Sequence, residues 1–353
     1  MPDTTEQIQE ERLLVFNCHE AWVHQLELLG YGLDIIVGLK GRMIQTWDAR
    51  MRPMPSSSRL ISLEEAQHSP CSYYCIITHN IADLLDVRDR QDPKLLVIHS
   101  TIEGRQLEEG TDVAPAAMRS MLNKYLRLVG GHAVAVSKLK GQSWGVTDDI
   151  VPFAADPTAY PPYKGDVASG LRICNFINSR KQILLWDFHS KAFQGLPVRL
   201  VGHNPDIPGV RAAQSWDELK TMLQSHRFYI HTAHPELEDG YNMATIEAMA
   251  AGMPIIGNTH PSSPIDHGVS GFLSDNPVEL RRFAQMLLED RNLAAKMGKE
   301  ARKTVCERFG PERFSRGIRQ SIETARRKTC QQTTFASPKW AEQNETLPGA
   351  RIK

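Results

Sequence analysis

Short apolar runs alternate with longer amphipathic segments over the first 150 residues, and this pattern predicts strands followed by helices. Strands are predicted at 12–17, 33–39, 73–79, 94–100 and 132–137. The segment EAWVHQLELLGYG, at 20–32, predicts a helix that ends in glycine. Short strands that are apolar on both faces are typical of a parallel sheet covered by helices. Residues 50–70, rich in Pro and Ser, are predicted as a loop.

A second alternating series follows the Pro-rich segment 148–166, DDIVPFAADPTAYPPYKGD, which shows no periodicity and predicts a linker. Strands are then predicted at 171–177, 197–202 and 227–232, and helices at 181–193, 215–226, 276–290 and 311–328. Two such series predict an α/β protein with two Rossmann-like domains facing a cleft. The predicted boundaries are 1–150 for the N-terminal domain, 151–310 for the second domain, 311–328 for a closing helix and 329–353 for a loose tail.

Composition narrows the range of partners. The 353 residues include 41 Lys plus Arg and 41 Asp plus Glu, so the net charge is zero and nucleic acid is not predicted as a partner. The apolar runs are too short to cross a membrane, although peripheral contact with one stays open. An acidic, polar N-terminus and six scattered cysteines favour a cytoplasmic protein with free thiols.

The segment EDGYNMATIEAMAAGMPIIG, at 238–257, carries the clearest chemical signal. A loop containing Gly240 leads into a short helix, whose first free N–H groups form an anion site. Glu247 lies about one turn into this helix, which Gly252 and Pro254 end. The arrangement predicts a bound phosphate with a carboxylate that accepts hydrogen bonds from hydroxyl groups. The alternative is that Glu247 is solvent-exposed and interacts only with the helix dipole.

This segment resembles the nucleotide-sugar motif of the retaining glycosyltransferases of family 4, which have the GT-B fold. The motif appears here as Asp239, seven residues, Glu247 and then AMAAGMPII. The likeness continues through 266–309, the hinge-like segment 150–160, the segment 132–146 and the strand 95–100. The resemblance implies retaining transfer of a hexose from a nucleotide-diphosphate sugar to a hydroxyl acceptor, which is a glycan, a lipid or a small molecule.

On the donor side, the resemblance assigns Glu247 to the ribose hydroxyls and Asp239 to hydroxyls of the transferred sugar. Glu238 would then be an exposed neighbour. The loop at Gly240 and the backbone N–H groups that follow it would hold the distal phosphate; the residues concerned are Tyr241, Asn242 and Met243.

The resemblance also assigns cleft residues outside the motif. Lys181 matches the lysine that neutralises the diphosphate. Its usual arginine partner is replaced by Phe176, and Arg180 or Arg172 could substitute for it. His99 matches the histidine that approaches the sugar.

The first loop, NCHEAW at 17–22, lacks the paired glycines that the family often has there. His19, Glu20 and His24 do not have zinc-protease spacing, so no metal site and no cofactor are predicted. His79 is a further cleft candidate. Two alternatives remain for function: a nucleotide-sugar 2-epimerase of the same architecture, and a catalytically weak nucleotide-sugar-binding protein.

Overall fold

The computed structural model describes residues 11–42 and 44–335, with side chains described up to residue 332. The N-terminal part forms one six-stranded parallel sheet in the order β3-β2-β1-β4-β5-β6. Its strands are β1 Arg12–Phe16, β2 Gly32–Ile36, β3 Ser58–Ile61, β4 Cys75–Thr78, β5 Lys94–Ile98 and β6 His132–Ala135. The predicted strands of this half are therefore confirmed, with shorter bounds.

The helices of this half cover both faces of the sheet. They are α1 Glu20–Val23, which continues as a 3-10 turn over His24–Leu29, α2 Leu63–His68, α3 Ile81–Asp86, α4 Ile102–Glu109, α5 Pro115–Val129 and α6 Lys138–Trp144. The predicted loop 50–70 is wrong in its second half, which holds β3 and α2. The strand β3 lies at the sheet edge, where none of its residues is fully buried, so its sequence shows no continuous apolar run.

The second part is a five-stranded parallel sheet in the order β11-β10-β9-β7-β8. Its strands are β7 Val167–Ile173, β8 Val198–Val201, β9 His226–His231, β10 Ile255–Gly257 and β11 Gly271–Leu273. Its helices are α7 Trp186–Phe193, α8 Trp216–Ser225, α9 Met243–Ala250, α10 Pro277–Glu289 and α11 Arg291–Arg308. The predicted α/β class with two parallel sheets is confirmed.

The helix predicted at 181–193 begins later, at Trp186. The preceding residues form turns, and two of them, Phe176 and Leu185, have positive φ angles of 52° and 47°. A residue in this left-handed conformation interrupts a right-handed helix, so α7 cannot extend back through Leu185. Lys181 is therefore placed on a turn, and its carbonyl oxygen accepts a hydrogen bond from the Trp186 N–H.

The last helix, α12 Pro311–Phe335, returns to the N-terminal sheet and packs against β5 and β6. Phe314, Ile318 and Ile322 are at most 1% exposed, as their helical spacing predicts. The helix extends past residue 328, so the first seven residues of the predicted loose tail are helical; the rest of that tail lies outside the described residues. No helix among the described residues is long and apolar enough to cross a membrane.

The carboxyl ends of the two sheets face each other across a cleft and are linked by hydrogen bonds. Thr101, after β5, donates from Oγ1 to the Leu237 carbonyl at 2.7 Å. Gln25 donates to the Ala154 carbonyl at 3.0 Å. This is the edge at which open α/β sheets bind their ligands.

Candidate functional site

The N-terminus of α9 opens into the cleft with unused donors. Asn242 caps the helix, and its side-chain oxygen accepts hydrogen bonds from the N–H and the hydroxyl of Thr245, both at 2.9 Å. The main-chain N–H groups of Met243 and Ala244 donate to no acceptor within the described residues. Two free donors at the positive end of a helix dipole form a site for an anion.

Gly240 precedes this helix and has a packing role. A Cβ there would lie 2.8 Å from the Cβ, Cγ and Nδ1 atoms of His260, closer than side chains tolerate. Its N–H donates to Ser262 Oγ at 2.9 Å. The glycine thus permits contact with His260, and its own N–H is already bonded.

Asp239 and Glu238 lie against a buried ammonium group from helix α6 of the N-terminal part. The Lys140 Nζ is 2.7 Å from Glu238 Oε1 and 3.2 Å from Asp239 Oδ2, the latter close enough for an ion pair but poorly aligned as a hydrogen bond. Ser262 Oγ donates to Asp239 Oδ1 at 3.1 Å. Glu238, predicted as an exposed neighbour, is instead 14% exposed in its side chain and held by Lys140.

Burial destabilises the charged forms of Lys140 and Glu238, but the attraction between the opposite charges outweighs this effect. Burial alone would lower the pKa of Lys140, but Glu238 and Asp239 raise it well above its ordinary value. Burial alone would raise the pKa of Glu238, and the attraction of Lys140 lowers it instead. Lys140 and Glu238 are therefore charged at neutral pH.

Sequence reasoning missed Lys140. It lies in the first turn of α6, directly after β6, and its side chain is 4% exposed. The segment around it, HAVAVSKLKGQSWGV, gives no sign that this lysine is buried while its neighbour Lys138 is exposed. The available signal was topological, because residues that follow parallel strands collect at one sheet edge.

Glu247 is buried and also paired across the cleft. It forms an ion pair with Arg52, and the two side chains are 8% and 7% exposed. The Arg52 guanidinium lies 4.4 Å from the centre of the Trp216 ring. Tyr160 contacts the same carboxylate: burial first, and then Glu247, raise the pKa of the tyrosine. A solvent-exposed Glu247 is therefore excluded, and Arg52, which sequence reasoning also missed, is a further cleft residue.

The three basic residues that the sequence assigned to the diphosphate occupy different environments in the structure. Arg172 is 2% exposed and donates to Thr232 Oγ1 and the Leu184 carbonyl, both at 2.8 Å, so it holds the sheet together. Arg180 pairs with Glu108 of the N-terminal part and lies 3.6 Å from Glu238. Lys181 is exposed and forms no ion pair with the described residues.

His99 lies in an aromatic cluster on the N-terminal side of the cleft. Its Nε2 is 2.9 Å from His79 Nδ1, and the edge of Trp22 packs on both rings, at centroid distances of 5.3 and 5.1 Å. Burial first, and then nearby histidines, lower the pKa of His79 to about 3 and that of His99 well below its ordinary value. Both rings are neutral at pH 7.

The comparisons with known proteins support this reading of the fold. Residues 210–304 match the family model described as "Glycosyl transferases group 1". The structure is similar to that of a sucrose-phosphate synthase from Thermosynechococcus elongatus, with a TM-score of 0.65 and 15% identity over 93% of this chain and 100% of that one. The chain is a glycosyltransferase with the GT-B fold.

Two further structures resemble this glycosyltransferase. HepE from Anabaena, in complex with UDP-glucose, has a TM-score of 0.64 and 13% identity over 89% of this chain and 99% of that one. A glycosyltransferase from Rickettsia africae has a TM-score of 0.60 and 12% identity over 90% and 99%. No curated protein sequence matches the chain. The match to 210–304 contains Asp239, Glu247 and all of α9.

Proposed function

We propose that this glycosyltransferase moves a hexose from a UDP-hexose to a hydroxyl acceptor with retention of anomeric configuration. The observation that carries the proposal is the segment 239–247, where two buried carboxylates flank free N–H groups at a helix N-terminus. HepE, which has a similar fold, was solved in complex with UDP and glucose and with UDP-glucose. The resemblance of the 239–247 motif to family 4 supports the retaining outcome.

Each group of the segment has a chemical task in this proposal. The N–H groups at the start of α9 receive the distal phosphate, and Glu247 accepts hydrogen bonds from the ribose hydroxyls. Asp239 accepts hydrogen bonds from the sugar, and Lys140 with Ser262 fixes the orientation of its carboxylate. Arg180 and the exposed Lys181 face the diphosphate from the turn before α7.

Cleavage of the bond between sugar and phosphate builds negative charge on the leaving phosphate and positive charge on the ring. The α9 N-terminus and Lys181 stabilise the first, and fixed dipoles of this kind usually supply the largest catalytic term. The acceptor attacks from the side of the leaving group, whose phosphate takes the acceptor proton. His99, as a neutral ring, contacts the sugar near the reacting carbon. The reaction proposed here uses no cofactor.

The acceptor is proposed as a glycan, a lipid or a small molecule that enters from the N-terminal side of the cleft. A cytoplasmic place of action belongs to the same proposal, and it is supported by the reduced thiols of Cys18, Cys71, Cys75, Cys174 and Cys306. The matched family model and the neighbours reported above give no support to an epimerase. A catalytically weak binding protein would bind UDP-hexoses without hydrolysing or transferring them, which sets the deciding experiment: release of hexose from a panel of nucleotide sugars, followed by an acceptor screen.

Replacing Glu247 with glutamine is expected to weaken binding of UDP-hexose about tenfold to a hundredfold. The change removes charge-assisted hydrogen bonds to the ribose, worth about 1.5–3 kcal/mol. Glutamine can still accept a hydrogen bond from Arg52, so the fold should persist. Calorimetric titration of wild type, Glu247→Gln and the exposed control Glu289→Gln measures this. Equal affinity in all three proteins would refute the ribose assignment.

Replacing Lys181 with alanine is expected to lower kcat about tenfold while donor affinity changes little. The reason is that phosphate charge grows in the transition state, where one charge-assisted contact is worth about 1.4 kcal/mol. Steady-state kinetics and donor titration on Lys181→Ala and on the exposed control Lys191→Ala separate the two quantities. A loss of affinity with kcat unchanged would make Lys181 a binding residue only.

A further inference from the structure

Three side chains with metal-binding atoms converge on the N-terminal side of the cleft. Cys18 follows β1, His79 follows β4 and His99 follows β5, and these strands are neighbours in the sheet. One ligand atom from each residue lies within 4.8 Å of the other two. Three strand ends thus bring one thiol and two imidazoles around a common point.

We propose that Cys18, His79 and His99 bind a soft divalent cation, with zinc as the ion that fits the site best. Thiolate sulfur and imidazole nitrogen are the ligands that zinc prefers. Three protein ligands leave a fourth position for water, as in zinc sites that are open to solvent. On binding, the Cys18 thiol releases its proton to solvent and the resulting thiolate sulfur forms a bond to zinc, which stays divalent.

The spacing of the ligand atoms suits a tetrahedral ion. Bonds of about 2.1 Å place neighbouring ligand atoms about 3.4 Å apart. The His79 Nδ1 and His99 Nε2 atoms already lie 2.9 Å from each other. To hold the ion, the two nitrogens would separate by about 0.5 Å, and the Sγ of the half-buried Cys18, which lies within 4.8 Å of both, would approach them by about 1 Å.

The surroundings of the two imidazoles also favour a ligand. Trp22 packs edge-on against both rings and fixes their orientation, which is how neighbouring side chains hold metal-binding histidines in place. These contacts fix the rings whether or not an ion is bound.

The proposed ligands are not the residues that the sequence analysis considered as a metal site. The spacing of His19, Glu20 and His24 predicted no metal site, and the structure does not group these three residues around one point. The proposed ligands come from positions 18, 79 and 99, so no short motif could show them.

Zinc at this site would occupy His99. If His99 contacts the transferred sugar, as the proposed function holds, zinc should inhibit transfer and a chelator should restore it. The existence of the site does not depend on that role, so its test uses metal binding as the readout.

Cobalt(II) is the probe for the thiolate, because a cobalt–thiolate bond gives a charge-transfer absorption band in the near ultraviolet. Wild type should develop this band at one equivalent of cobalt, and zinc should abolish it. Cys18→Ser should lack the band and bind zinc at least about a hundredfold more weakly. The control Cys71→Ser changes a half-buried thiol at the opposite end of the same sheet and should behave as wild type.

A second measurement covers the case in which Cys18→Ser fails to fold. Zinc should protect Cys18, but not Cys71, from alkylation in the wild-type protein, as peptide mass mapping can show. No cobalt–thiolate band in wild type, an equal band in folded Cys18→Ser, or alkylation of Cys18 that zinc does not slow would each overturn the proposal.

Discussion

Replacing Lys140 with methionine is expected to lower the free energy of unfolding by about 3–5 kcal/mol at pH 7. The ammonium group lies 2.7 Å from Glu238 and 3.2 Å from Asp239, and its removal leaves the buried Asp239 without its paired cation and Glu238 with only Arg180, 3.6 Å away. Binding and turnover of the donor should fall as well, because Asp239 loses the group that orients it. Lys138→Met, which changes an exposed lysine in the same helix, is the matched control.

The pH dependence of this effect distinguishes lost charge from lost packing. In wild type the folded pKa of Glu238 lies below its ordinary 4.5, so its stabilising contribution is present above pH 4.5 and disappears as the pH falls through the folded value. In Lys140→Met the strongest attraction that lowers this pKa is lost, so burial raises the pKa of Glu238 relative to wild type. Protonation then relieves the variant as the pH falls.

The difference in unfolding free energy between wild type and Lys140→Met should therefore be largest near pH 7–8 and should shrink below about pH 5. Urea denaturation at pH 4, 5, 6, 7 and 8 measures it. A difference that stays constant with pH would show that Lys140 contributes through packing, and no difference at all would show that the charge cluster does not form in solution.

Most strands could be predicted because buried parallel strands are continuous apolar runs. The runs at 12–17 and 94–100 are strands in the structure, and the other six predicted runs overlap strands as well. The edge strand β3 escaped prediction because its side chains are half-exposed. The start of α7 was placed too early because a positive φ at Leu185 is a property of the folded turn, and the apolar pattern of KQILLWDF does not reveal it.

The donor side of the site could be predicted from one segment because its groups are close in sequence. Asp239, Glu247 and the α9 N-terminus lie within a single loop and helix. Their partners Arg52 and Lys140 come from a loop and a helix of the N-terminal part, at sequence separations that no local pattern spans. The exposure of Glu238 was predicted wrongly for the same reason. A carboxylate beside a motif is expected to be exposed when the lysine that pairs with it cannot be identified from the sequence.

Replacing Arg52 with methionine is expected to tighten binding of UDP about tenfold to a hundredfold, while lowering the stability of the free protein. Arg52 pairs with the carboxylate that the proposed function assigns to the ribose, so nucleotide binding in wild type has to break or share this buried pair. Removal of Arg52 leaves Glu247 unpaired, at a cost of about 3–5 kcal/mol, and the ribose hydroxyls would satisfy it again. That recovered energy, about 1.5–3 kcal/mol, appears as affinity.

The same loop supplies the control, since Arg50 is exposed and pairs only with Asp48 among the described acidic residues. Calorimetric titration with UDP and thermal unfolding with and without UDP should show tighter binding and a larger UDP-induced rise in Tm for Arg52→Met, and neither for Arg50→Met. The double variant Arg52→Met/Glu247→Gln should lose the gain, because the unpaired charge is gone. Weaker UDP binding by Arg52→Met would mean that Arg52 contacts the nucleotide directly. Competition requires the loop around Arg52 to move away from Glu247 as the nucleotide enters, which makes this ion pair a link between donor binding and the position of that loop.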